Sequence, residues 1–219
     1  MGKNKLARFA ENLTFPNLFQ VPYGEIKDKD FVMKGKWREE YFKNKNSVTL
    51  ELGCGKGEYT VGLGEKYKDK NFIGIDIKGA RLWKGCKIAY MNNMTNVAFL
   101  RTHIQMLPSF FDKQEVDEIW ITFCDPQPKN ENRRLTCPRF LELYSKVLTS
   151  DATLHLKTDS KELFDYTFDI LQKDNHGILF ATDDLYEDTY QGDAKEIQTF
   201  YEQMFLKEGK KINYIKFKL

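Results

Sequence analysis

The chain holds only four cysteines and three histidines among 219 residues. Cys54, Cys86, Cys124 and Cys137 lie far apart, with no C-x-x-C pair and no histidine at zinc-ligand spacing. Reduced thiols are expected, with neither a metal nor a disulfide. Long apolar runs are missing too. No stretch approaches bilayer-spanning length, and the opening "MGKNKLARFAENLTFPNLFQ" has no apolar core for a signal peptide. Leu6 stands where a myristoylation signal needs Ser or Thr. A cytoplasmic protein free of membranes is expected, as a monomer or a homodimer. A strong charge of one sign is also absent: 30% of residues are charged, yet the formal net charge is only +2. Any nucleic-acid surface must then be a local patch. There is no internal repeat and no low-complexity linker. The chain is long enough to bury a full core as one domain.

What is present is a regular alternation from residue 47 onward. "SVTLEL", "NFIGIDI", "NVAFLRTH", "VDEIWITFCD" and "ATLHLKTD" read as strands. Between and after them, "GEYTVGLGEKY", "GARLWKGCKIAYMNN", "RFLELYSKVLTS" and "KELFDYTFDILQKD" read as helices. That order predicts an α/β fold, a doubly wound and mostly parallel sheet with helices on both faces. The end breaks the pattern. "GILFATDDLYED" and "INYIKFKL" look like a late antiparallel pair around a helix near "EIQTFYEQMFLKEG". Residues 1–46 form an N-terminal arm with a lead-in helix near "FVMKGKWREEYF", and residues 47–219 the main domain.

"LELGCGKGEY" puts Glu51 at the end of the first strand, followed by Gly53, Gly55 and Gly57. Glycines there allow a tight turn and a close ligand approach. A dinucleotide fingerprint needs a third glycine at position 58, which is Glu. An acid is a poor neighbour for a pyrophosphate on a helix N-terminus. A phosphate-free ligand tolerates it, and S-adenosylmethionine is one. Asp76, closing the second strand, then stands where an acid takes ribose hydroxyls. A bare glycine-rich turn with solvated acids is the alternative.

The fourth strand runs to Asp125 in "ITFCDPQPKNENRRL". In an open sheet, ligands lie at the carboxyl ends of strands, so this carboxylate is expected to face the transferable methyl. The two prolines pre-set the turn. If the acceptor is an unprotonated ring nitrogen, no base is needed, and Asp125 would stabilise charge that develops on transfer. Lys129, Arg133 and Arg134 follow, suited to phosphates. A proline turn with solvated charges is the bland alternative, even with the first until the glycine loop tips the balance.

These segments together resemble the bacterial tRNA (guanine-N7-)-methyltransferases. The likeness rests on "LELGCGKG", "NFIGIDIKGAR", "DPQPK" before "RRLTCPRFLE", "LHLKTD" and "TFYEQMFLKEGKKI", most of the chain. The resemblance implies methyl transfer from S-adenosylmethionine to guanine N7 in the tRNA variable loop, conventionally position 46, leaving S-adenosylhomocysteine. It implies cofactor-side roles for Glu51, Gly53, Gly55, Asp76, His103 and Asp125, with Asp125 also the catalytic candidate. It implies substrate contacts at Lys129, Arg133, Arg134, Asp159, Thr199, Phe200, Tyr201 and Glu202, and a basic arm at Lys3, Lys5 and Arg8. Three positions depart from the family pattern. Gln127 replaces a tryptophan, which removes a stacking surface. "NENRR" is shorter and less basic than the usual run, which predicts weaker or less salt-sensitive RNA binding. His103 replaces an acid near the adenine, where a neutral imidazole still accepts a hydrogen bond; a strand-end histidine without a ligand is the alternative. Asp159 and Ser160 also fit the start of the next helix. Two rival functions stay open, a methyltransferase for another RNA or small-molecule acceptor and a non-catalytic RNA-binding protein keeping the fold.

Overall fold

The computed structural model describes residues 2–219, and side chains from position 4 onward. One sheet organises the chain. Its strands are β1 (Leu18–Gln20), β2 (Val48–Leu52), β3 (Asn71–Ile75), β4 (Val97–Arg101), β5 (Val116–Thr122), β6 (Leu148–Thr158), β7 (Gly177–Thr182) and β8 (Asn213–Lys218). They lie in the order β1-β4-β3-β2-β5-β6-β8-β7. β8 runs antiparallel between β6 and β7, and the pairs from β1 to β6 are parallel.

The apolar patterning explains the layers. β2 (VTLEL) and β3 (NFIGI) are buried at every residue, as parallel strands covered on both faces must be. Helices Glu58–Lys66 and Gly79–Met91 cover one face through Tyr59, Leu63, Leu82 and Cys86. Helices Pro138–Ser145 and Lys161–Lys173 cover the other through Leu141, Tyr144, Leu163 and Leu171. The latter helix is capped by the Ser160 hydroxyl, which accepts from the Leu163 N–H at 3.2 Å. Gly57 opens helix Glu58–Lys66 at φ +69, where an added Cβ would lie 2.4 Å from the Phe99 ring. Both the left-handed backbone and the close ring demand glycine.

Strand order turns around at the β2/β5 boundary. From β2 the chain steps outward to β3 and β4, then returns to place β5 on the other side of β2. That reversal opens a crevice at the carboxyl ends of β2 and β5.

Several local readings change. The helix read over "RFLELYSKVLTS" ends at Ser145, and its residues 148–150 open β6. β5 stops at Thr122 rather than reaching Asp125, because Phe123 takes φ 48 and turns the chain out of the sheet. "FVMKGKWREEYF" makes only a five-residue π turn, Trp37–Tyr41. Its Trp37 is buried and donates its indole N–H to the Phe110 carbonyl at 2.9 Å. The arm is a helix, Gly2–Asn12, followed by β1 on the sheet edge. Arg8 lies over the Trp83 ring at 4.6 Å, and Glu11 accepts from the Trp83 N–H at 2.6 Å and pairs with Lys87. Lys5 and Arg8 are exposed on this docked helix, and the Lys3 side chain lies outside the described residues. Among the described residues no helix is long and apolar enough to cross a membrane.

Candidate active site

At the end of β2 the Glu51 carboxylate is buried and fully engaged. Oε1 accepts from the Thr122 hydroxyl at 2.8 Å, and Oε2 accepts from the Thr60 N–H at 2.8 Å and from the Thr60 hydroxyl. It thereby clamps β2, β5 and helix Glu58–Lys66 beneath the glycine loop. Burial pushes this carboxyl up to about 7, against the downward pull of the Thr60 and Thr122 donors. The unfolded chain keeps it near 4.5. Between those values the folded state holds the extra proton, so stability falls as pH rises. Glu51→Gln should flatten that slope and, at pH 8, be more stable than the wild type by on the order of 2 kcal/mol. Thermal melts of both proteins at pH 5 and pH 8 check this. Curves that run parallel would show that Glu51 does not titrate in this window.

Gly53 and Gly55 turn the loop at φ +73 and φ +57, and nothing lies within 4 Å of a Cβ built on Gly53. The main chain is therefore open to a ligand there. Asp76 follows β3 and steadies the loop. Oδ2 accepts from the Gly55 N–H at 2.9 Å and Oδ1 from the Lys78 N–H at 2.7 Å. Each oxygen keeps a lone pair.

Beyond β5, Asp125 is exposed and its Oδ1 accepts from the Gln127 N–H at 3.0 Å. The residues on either side of this turn, Phe123 and Gln127, both adopt φ 48. Left-handed backbone at a bulky residue costs roughly 1–2 kcal/mol, and such strain gathers at functional sites. A cleft of about 450 Å³ joins the two acids: Gly53, Asp76, His103, Phe123, Asp125 and Arg133 all line it. A smaller hollow of about 70 Å³ continues from it between the glycine loop and Thr199 and Tyr201. Glu51, Gly53, Gly55, Asp76, His103 and Asp125 are thus brought to one continuous crevice.

The substrate-side candidates divide. Arg133 lines the cleft and Lys129 is exposed two residues beyond Gln127, and neither holds an ion pair among the described residues. Arg134 faces away and is 1% exposed. It donates to the Pro126 carbonyl at 3.0 Å, pairs with Glu131 and Glu162, and lies over the Tyr166 ring at 4.4 Å. Phosphate contact by Arg134 is therefore corrected to a clasp that ties the Asp125 loop to helix Lys161–Lys173. Asp159 pairs with Lys210 at 3.5 Å, outside the cleft lining, and Ser160 is the helix cap.

Thr199 and Glu202 hold one another rather than an outside group. The Thr199 hydroxyl accepts from the Glu202 N–H at 3.2 Å, and the Glu202 carboxylate accepts from the Thr199 N–H at 3.2 Å. This capping box starts helix Phe200–Lys207. Glu202 is fully buried against Lys157 Nζ at 2.6 Å and accepts from the Tyr186 hydroxyl at 2.7 Å, so direct substrate contact by Glu202 is corrected to support of this helix. Phe200 and Tyr201 are exposed, with Lys56 over the Phe200 ring at 4.1 Å. Glu58, the residue that excluded a dinucleotide fingerprint, accepts from the Phe200 N–H at 2.9 Å and so ties this tract to the glycine loop.

Two lining residues lay inside quoted motifs without being singled out as site residues. Arg81 and Phe123 border both hollows. Arg81 lies in the first turn after the Asp76 loop, a position that the strand-end rule alone would have flagged.

A family model described as "Putative methyltransferase" matches residues 45–215. A Christiangramia forsetii protein named tRNA (guanine-N(7)-)-methyltransferase is 51% identical, covering 100% of this chain and 99% of its own. Proteins of the same name from Bacteroides fragilis and Cytophaga hutchinsonii are 50% and 43% identical, over 100% and 99% of this chain and 87% and 98% of theirs. Among solved structures, the 16S rRNA methyltransferase KamB superposes with TM-score 0.63 at 13% identity, over 84% of this chain and 91% of that one. A SAM-dependent methyltransferase from Aquifex aeolicus gives TM-score 0.54 at 14% identity, over 90% and 98%. At such low identity these two speak for the fold alone.

Proposed function

The chain belongs to the tRNA (guanine-N(7)-)-methyltransferase family, and from that premise we propose how its own residues carry out the transfer. It moves a methyl group from S-adenosylmethionine to N7 of a guanine in tRNA, and the guanine we assign is position 46 of the variable loop. The observation that carries the reading is the crevice itself. A glycine loop with open space above it, a ribose-binding acid and a strained turn presenting a carboxylate all line one cleft.

The site fits the cofactor by the chemistry of its donors. Asp76 has one lone pair left on each oxygen for ribose hydroxyls, and the Gly53–Gly55 main chain is bare enough for an amino-acid end to lie on it. Ile77, Thr102, His103 and Ile104 line the far end, an apolar slot with a polar edge for a purine. When bound, S-adenosylmethionine supplies a methyl on a positively charged sulfur.

The remaining work falls to the protein. Guanine N7 carries an exposed lone pair, so no proton has to leave before attack. The base must be splayed from its stack to reach the cleft floor. Asp125 waits there with Oδ1 fixed by the Gln127 N–H and Oδ2 unpaired among the described residues. Its charge stabilises the positive charge that grows on the guanine ring, and a pre-set group pays no reorganisation at that moment. Lys129 and Arg133 hold phosphates at the rim, while Phe200 and Tyr201 offer aromatic faces beside the smaller hollow. Arg134, Asp159, Thr199 and Glu202 act by holding those groups in place. We take residues 47–219 as the catalytic unit and residues 1–46 as a shell added to its edge, in the cytoplasm with tRNA as partner.

Methyl transfer from labelled S-adenosylmethionine to a tRNA transcript, followed by borohydride and aniline treatment, tests the reading. Scission at one guanine supports it; cofactor binding without transfer to any tRNA overturns it. The rim has its own signature. Lys129→Ala and Arg133→Ala should each lower the slope of log affinity for tRNA against log salt by about 0.7 to 0.9. Arg134→Ala should leave that slope alone, because its charge is spent inside the protein. Equal slope changes for all three would show Arg134 reaching the RNA.

A further inference from the structure

β1 extends the carboxyl edge of the sheet one strand beyond β4. The segments that follow β1, β4 and β3 line, together with Leu13, a further hollow of about 540 Å³. It shares Ile77, Thr102 and His103 with the cofactor cleft, so those residues form a ridge with one cavity on either side. Asp76 and Asp125 line the cleft only. The outer hollow has no carboxylate in its lining.

Its chemistry is specific. Tyr23 is 52% exposed and meets the His103 ring edge-to-face at 6.0 Å, which leaves two aromatic surfaces at nearly right angles. Leu13 and Ile77, 80% and 44% exposed, add apolar wall that stays uncovered among the described residues. Arg101 donates Nε–H to the Ile77 carbonyl at 3.2 Å and reaches Gln20 at 3.4 Å. Its guanidinium has no ion pair among the described residues. A flat aromatic face, a guanidinium that rests on the Phe9 ring at 5.0 Å without a carboxylate partner among the described residues, and an acid-free lining together suit an anionic, planar ligand.

We infer that this hollow is a nucleotide subsite. It takes one unstacked nucleotide of the RNA other than the methylated guanine, with the base on Tyr23 and a phosphate on Arg101. The inference rests on the reading of tRNA as substrate. It explains why a three-residue strand and its Val21-Pro22-Tyr23 exit are packed onto the ligand edge. Asp125 and the hollow lie at the same carboxyl edge of the sheet, so an RNA extended along that edge reaches both.

Tyr23→Ala, Tyr23→Phe and the wild type are compared in KM for tRNA and in affinity for S-adenosylhomocysteine. The tRNAs form a series with one abasic position at a time through the variable loop and its neighbours. Tyr23→Ala should raise KM for intact tRNA by about tenfold, within the range for loss of one stacked base. Tyr23→Phe should stay near the wild type, and affinity for S-adenosylhomocysteine should stay within about twofold. One abasic transcript should bind the wild type weakly and lose nothing more with Tyr23→Ala, which identifies the base. S-adenosylhomocysteine affinity falling in step with the rise in KM would assign the hollow to the cofactor instead. An unchanged KM would show that no nucleotide enters it. No transfer to tRNA by the wild type would remove the functional reading, and the subsite with it.

Discussion

Asp125→Ala is expected to lower kcat for methyl transfer by about 10²- to 10³-fold, the usual cost of removing a group aimed at developing charge. Binding of S-adenosylhomocysteine should change far less, since Asp76 and the glycine loop remain. Asp125→Asn separates charge from shape. Its amide oxygen still accepts from the Gln127 N–H, so the turn that holds Oδ1 at 3.0 Å survives. If the negative charge matters, both variants fall together. If only the turn matters, Asp125→Asn stays close to wild type. The comparison is single-turnover transfer to one tRNA transcript at saturating cofactor. Both variants within about threefold of the wild type would remove Asp125 from the reaction.

The second large effect lies beneath the site. Lys157 and Glu202 form an ion pair at 2.6 Å with both side chains fully buried. Burial pulls the Lys157 ammonium below its ordinary range, and Glu202 pulls it back. Lys157 Nζ also donates to the Ile197 carbonyl at 3.1 Å, and the Lys157 carbonyl accepts from the Phe123 N–H at 2.8 Å. One residue thus fastens both the Phe123 turn and the segment leading to Thr199. Lys157→Met leaves a buried carboxylate unpaired and should cost about 3–5 kcal/mol, a fall of roughly 10 °C in Tm. The double variant Lys157→Met/Glu202→Leu should recover most of that loss, because no buried charge remains. It should still show a raised KM for tRNA, because the capping box that presents Phe200 and Tyr201 is gone. Melting curves and tRNA KM together decide it. A single variant that melts within about 2 °C of the wild type would show that the pair is not buried as described.

The same pair marks where reading along the chain stopped. Strand runs such as VTLEL and NFIGI, and apolar spacings of three and four in GARLWKGCKIAYMNN, record their surroundings in neighbouring residues. The turns they enter are announced by glycine and proline. The sheet, the loop at Gly53 and Gly55, and the acids Glu51, Asp76 and Asp125 could therefore be placed without coordinates. LFQ, as β1, is too short to show a period and becomes a strand only because β4 offers it an edge. Glu202 read as a substrate contact three residues from Thr199, and Arg134 as the twin of Arg133. Lys157 and Glu162, the partners that decide their roles, lie far away in sequence.

By itself, then, the sequence determined seven of the eight strands and which acids and glycines stand at the carboxyl edge of the sheet, because apolar periods repeat over two to four residues and glycines mark the turns. Only the tertiary structure decided which charges remain free for a substrate. A charged side chain is spent or available according to what the fold packs against it, and burial without a partner is too costly to survive.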